Sequence, residues 1–128
     1  MDYHFSKTLA VSFDAGVARV IEALKREGFG VLTDIDVKAT LKQKLGVDFW
    51  PYRILGACAP ALAYRALELE DKIGTMLPCK VIVQEHAPGE VEISAVDPVA
   101  SMRAIENAGL AELANEFRAR LRKAVEAV

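Results

Sequence analysis

A chain of 128 residues, 52% apolar and 27% charged, suits one ordinary globular domain that buries roughly two thirds of its unfolded surface, and its composition excludes a disordered or collagen-like protein. A formal net charge of -2 and a sequence pI near 5.7 give no electrostatic ground for binding nucleic acid or an anionic membrane. No stretch reaches the eighteen or so apolar residues of a membrane span and the start MDYHFSKTLAVSF lacks the pattern of a signal peptide, so the expectation is a cytoplasmic address with Cys58 and Cys79 as reduced thiols.

Tyr3, Phe5, Leu9, Val11 and Phe13 alternate with His4, Ser6, Thr8 and Ser12, interrupted by Lys7, which is the period-two pattern of a strand with one face on a core. Asp14 stands where a helix cap is wanted, and Val17, Val20, Ile21 and Leu24 follow at helix spacing up to Gly28, a residue free to take the left-handed conformation at a helix end. Phe29, Val31, Thr33, Ile35 and Val37 alternate as a second strand. Asp36 then caps a short helix with Val37, Leu41 and Leu45 on one side and Gly46 at its end.

After Trp50 and Pro51, YRILGAC has the length of a mostly apolar strand, and Pro60 fits the first turn of a helix, where its missing N–H costs little. Leu62, Ala66, Leu69 and Ile73 line that helix and Gly74 stops it. CKVIVQE and EVEISAV flank a Pro88-Gly89 turn signal and predict an antiparallel hairpin. Asp97 and Pro98 start the last helix, whose stripe runs through Leu110, Leu113, Ala114, Phe117, Leu121 and Val125 with a bend expected near Asn107 to Gly109. The order of elements would fit a doubly wound parallel sheet, but the terminal hairpin favours α+β: a curved mixed or antiparallel sheet of about five strands with helices packed on one face, in a single domain spanning 1–128. Phe5, Leu9, Val31, Ile35, Val81 and Val83 are then expected to be buried against the helices.

FDAGVARVIEALKREGFGVLTDIDVKATLKQKLG, YRILGACAPALAYRALELEDKIGTMLPCKVIV and VEISAVDPVASM, taken together, resemble domain-of-unknown-function family 302 from about Phe5 to Met102. The most specific parts are Gly28 to Leu32, Leu55 to Pro60 and Leu77 to Val81. Ala59 departs from the pattern, which more often has a polar residue such as asparagine between the cysteine and the proline. The resemblance implies a compact α+β domain with a curved sheet, dimeric, of unassigned activity.

Cys58 is the leading candidate for chemistry. A thiolate at a helix entrance is favoured by the helix dipole, whereas a free cysteine is also among the most commonly buried residues. Cys79 opens the fourth strand, so the two thiols meet if the third and fourth strands are neighbours. Neither stands in a CxxC cluster, and His4 and His86 have no ligand spacing to them. The ligand-binding candidates are Cys58, Cys79, Pro60 and Leu77, and no catalytic residue, metal site or cofactor is assigned. His86 beside Glu85 suits a general base but also an exposed hairpin tip. Asp34 and Asp36 suit a cation, although Asp36 already serves as a cap. Arg118, Arg120, Arg122 and Lys123 read as a solvated helix face near a C-terminus.

The functional expectation is a cytoplasmic homodimeric binding or accessory module that holds a small ligand, such as a sulfur species or a soft metal, near the two cysteines, with no nucleic-acid or membrane partner. A thiol-dependent enzyme or sulfur carrier using Cys58 with Cys79 is the alternative, ranked lower because no orienting base, oxyanion site or cofactor fingerprint accompanies the thiols. A structural interaction domain without a ligand is the third reading. The exposed apolar and long-stem residues of the last helix are its candidate subunit contact.

Overall fold

In the computed structural model, which describes residues 2–128, β1 (His4–Leu9) precedes α1 (Phe13–Arg26), β2 (Gly30–Asp36) precedes α2 (Val37–Leu45), and β3 (Tyr52–Cys58) precedes α3 (Pro60–Leu69) and a 3-10 turn at Asp71–Met76. The hairpin of β4 (Cys79–Ala87) and β5 (Glu90–Val96) follows, then α4 (Pro98–Ser101) and α5 (Ala108–Ala127). The strands lie in the order β1-β5-β4-β3-β2, and every neighbouring pair is antiparallel. The fold is α+β, and of the mixed and antiparallel arrangements the sheet takes the antiparallel one.

The core lies on one side of this sheet. Leu55, Val81, Val83, Ile93 and Ala95 are fully buried, as are Val20 and Leu24 of α1 and Phe117 and Leu121 of α5. α1 comes so close to β5 that a Cβ on Gly16 would stand 2.7 Å from Cγ1 of Val91, so only a residue without a side chain permits that approach. Lys7, the charge that interrupts the β1 pattern, turns to the C-terminal end of α5 and donates to the carbonyls of Glu126 at 2.8 Å and Val128 at 2.7 Å, where a cation satisfies carbonyls left free at a helix end.

Local signals were legible where their chemistry is short-range. Asp36 Oδ1 accepts the Ala39 N–H at 2.9 Å and Asp97 Oδ1 accepts the Val99 N–H at 3.0 Å, and Gly28 has φ 86° just past α1. Elsewhere the structure corrects the pattern. Ser12, not Asp14, caps α1 by accepting the Ala15 N–H at 3.2 Å, and Asp14 lies in the first turn, so β1 stops at Leu9 rather than Phe13. α3 ends at Leu69, and Ile73 and Gly74 belong to the separate 3-10 turn. The expected bend in the last helix is a break between α4 and α5, with Asn107 capping the second piece through the Leu110 N–H at 3.2 Å.

Val81 and Val83 are buried as expected, and Phe5, Leu9 and Val31 are half-buried against the core. Ile35 is not: it is 48% exposed. The β2–β3 register shifts between Val31 and Thr33, and because side chains alternate with a period of two, one irregular residue moves everything beyond it to the other face. Ile35 thereby pairs with Ile54 away from the helices.

Candidate functional site

β3 and β4 are neighbours, and Ala57 pairs with Cys79. This register brings Cys58 at the end of β3 and Cys79 at the start of β4 to the same corner of the sheet. Both are free thiols, Cys79 buried and Cys58 half-buried. They line a recess of about 280 Å³, closed by Ala59 and Ala63 at the start of α3, Leu77 and Pro78 before β4, and Phe117 of α5. No charged, hydroxyl or amide side chain lines it. Leu32, 69% exposed, and Leu67, 45% exposed, stand at its lip.

Of the four candidate residues, the structure brings Cys58, Cys79 and Leu77 together in this recess. Pro60 occupies the first turn of α3, as expected, but is exposed and does not line it. The sequence reading missed Phe117, which arrives from α5, and Leu32, exposed through the β2 irregularity. Ala63 and Leu67 carried a usable signal: they are spaced i, i+4 on α3 but lie outside its core stripe, a surplus apolar line that a recess explains.

Burial, with a smaller contribution from the neighbouring Cys58, pushes the Cys79 thiol up to about 12. At pH 7 such a group holds on the order of a thousandfold less thiolate than an unperturbed cysteine. Iodoacetamide is therefore expected to leave Cys79 unmodified in native protein and to label it once denaturant is added, as peptide mapping would read. The folded state keeps this proton more tightly than the unfolded chain. Its stabilising contribution is thus complete below about pH 8.5 and is lost as pH rises toward 12, a loss that Cys79→Ala lacks.

The other candidates are accounted for by structure. Asp34 receives the guanidinium of Arg53 in a two-pronged pair, with Nε 2.7 Å from Oδ1 and Nη2 on Oδ2, and that hydrogen bonding holds the Asp34 carboxyl below its usual range. Asp36 is the α2 cap. His86 lies against Trp50, ring centroids 4.6 Å apart, while Glu85 accepts the Gly89 N–H at 3.2 Å rather than orienting the imidazole. Along α5, Arg118 pairs with Asp97 at 3.2 Å, Arg120 with Glu116 at 3.6 Å and Lys123 with Glu27 at 3.8 Å, and Arg122 lies 5.0 Å over the Phe5 ring. Among the described residues no three His, Cys, Asp or Glu side chains gather into a metal-binding cluster, and no helix is long and apolar enough to cross a membrane.

A model of the domain of unknown function DUF302 matches residues 5–128. The chain belongs to the DUF302 family. The crystal structure of an uncharacterised conserved DUF302 protein from Bacillus stearothermophilus is 30% identical and superposes with a TM-score of 0.92, covering 99% of this chain and 98% of that one. No curated protein matched. The match of this DUF302 chain extends past Met102, where the quoted motifs end, through α5, so the helix that supplies Phe117 to the recess is part of the family's domain.

Proposed function

We propose that this DUF302 protein is a binding module that holds a small, predominantly apolar ligand in the recess at Cys58 and Cys79. The observation that carries this reading is the lining itself: two thiols among aliphatic and aromatic groups, with no fixed charge. An engineered apolar cavity of about 150 Å³ stays dry and binds benzene, so a recess of 280 Å³ has room for a ligand larger than a single ring. Its selectivity would come from shape and from the weak hydrogen bonding of thiols. A thiol-dependent enzyme in which Cys79 resolves an adduct on Cys58 would draw on thiolate at Cys79, and the raised pKa of that group speaks for the apolar reading over that one. The module is further proposed to act as a homodimer, the commonest closed assembly of soluble chains.

The reading is tested by filling the recess without disturbing the core. Gly74 borders it, and a Cβ there would meet no heavy atom within 4 Å, so Gly74→Leu is expected to leave the melting temperature within about 2 °C of the parent. Naphthalene titrated into labelled protein should shift the amides of Cys58, Ala63 and Leu67 in the parent, with at least a tenfold weaker response in the variant. Unmoved amides in the parent, or an equal response in both proteins, would overturn the reading.

A further inference from the structure

We infer that the face of the sheet turned away from the core is where two copies of this chain meet, with Lys80 of each copy opposite Glu92 of the other. The inference shares its dimeric state with the proposed function and is independent of the ligand recess.

That face presents three rows running across the strands. The middle row carries Ile35, Ile54, Ile82, Ser94 and Ser6, as the strand registers align them. It is apolar over β2, β3 and β4. Over β5 and β1 its polar atoms are already satisfied, because the Ser6 and Ser94 hydroxyls lie 2.7 Å apart and His4 Nδ1 is 3.1 Å from Ser6 Oγ. One flanking row holds Lys80, and the other holds Tyr52, Gln84 and Glu92. Tyr3, 70% exposed, and His4 stand at one edge. Of these, Tyr3, Tyr52, Lys80, Ile82, Glu92 and Ser94 help bound an open cup of about 380 Å³. By contrast, the large apolar side chains of α5 are consumed by the core, and none of the exposed large apolar residues lies on that helix, so the subunit contact expected there has no large apolar side chain to build on.

The charges make the face complementary to itself. Ile82 pairs with Ser94, and Gln84 pairs with Glu92, so Lys80 stands two residues to one side of the middle row and Glu92 two residues to the other, each about 7 Å away along the strands. A twofold axis along the middle row exchanges these two levels. At the roughly 10 Å spacing of packed sheets, the long Lys80 side chain of one copy then reaches the Glu92 level of the other, twice. Within one copy Lys80 has no ion-pair partner among the described residues, and Glu92 accepts only the Gln84 amide at 3.2 Å.

The available area agrees. Five strands about 4.8 Å apart and some 25 Å long give on the order of 600 Å² per copy, or about 1,200 Å² in all, the lower end of specific stable interfaces. An isologous contact of this size, with an apolar centre and two symmetric charge pairs, fits a concentration-dependent dimer.

Sedimentation equilibrium and amine labelling test it on the full chain. The parent should sediment at twice its 14.0 kDa chain mass at 100 µM, and Lys80 should react with an acetylating reagent several-fold more slowly there than at 1 µM. Lys80→Glu and Glu92→Lys, each with unchanged circular dichroism, should weaken dimerisation at least tenfold, and the double charge swap should restore it. A parent that stays monomeric at 100 µM would overturn both the dimer and this face. A dimer indifferent to the single reversals, or Lys80 labelling that ignores concentration, would overturn this face alone. A monomer carrying a bound small molecule protected at Lys80 would assign the cup to a ligand and overturn the inference as well. Loss of naphthalene binding with an intact dimer would overturn only the recess.

Discussion

Val83→Asp is expected to abolish the cooperative thermal transition at neutral pH. Val83 is fully buried in β4 between Arg53 of β3 and Ile93 of β5. The Arg53 guanidinium is committed to Asp34, so an introduced carboxylate finds no free partner. It either stays charged in an apolar environment or takes up a proton, and each course costs several kcal/mol. About 2 kcal/mol of lost valine burial adds to this, against a total stability of about 6–19 kcal/mol for a chain of this length. Val83→Ala, which removes only the apolar contribution, should still melt cooperatively at a lowered temperature. The introduced carboxyl would have its folded-state pKa raised, so its neutral form is the one the fold tolerates, and the defect should shrink as pH falls toward about 4 and stay constant below it. A neutral-pH melt of Val83→Asp matching that of the parent would refute the placement of β4 at the centre of the sheet.

Phe117→Ala carries the second largest effect because it tests core and recess together. Phe117 is 1% exposed, sits in the α5 stripe and supplies the inner wall of the recess. Truncating a buried phenylalanine costs about 3–5 kcal/mol, from lost apolar burial and the cavity left behind. Here the cavity opens onto an existing recess, so the variant is expected to combine that destabilisation, read by urea unfolding, with a ligand preference shifted toward larger apolar probes. Phe117→Leu should cost markedly less and keep the parent's preference. A Phe117→Ala variant as stable as the parent would show that α5 does not pack over the Cys58–Cys79 corner.

Cys58 can be judged only in this setting. YRILGACAP put a thiol between a strand and a helix, which fits both an activated nucleophile and a small core residue. The helix it precedes has Ala59 as its cap with no side-chain hydrogen bond, and its neighbour Cys79 is held neutral by burial. Cys79 therefore reads as part of an apolar wall, and the labelling contrast between native and denatured protein decides it.

The sequence by itself determined the features whose causes lie within a few residues: the Asp36 and Asp97 caps, the left-handed Gly28, the hairpin around Gly89, and the stripe of α5 that the core consumes. It put Cys58 and Cys79 at strand ends that meet only if β3 and β4 are neighbours, and that adjacency is a tertiary fact. Tertiary structure alone decided three things. The irregularity between Val31 and Thr33 sent Ile35 to the open face, because a period-two pattern reads identically whether or not one residue slips out of phase. Leu32, Ala63, Leu67 and Phe117 became one recess because chain segments far apart in sequence converge only when the helices dock on the sheet. The placement of Lys80 and Glu92 on opposite sides of one row arose from the β4–β5 register, which the turn and the pairing of both strands fix together.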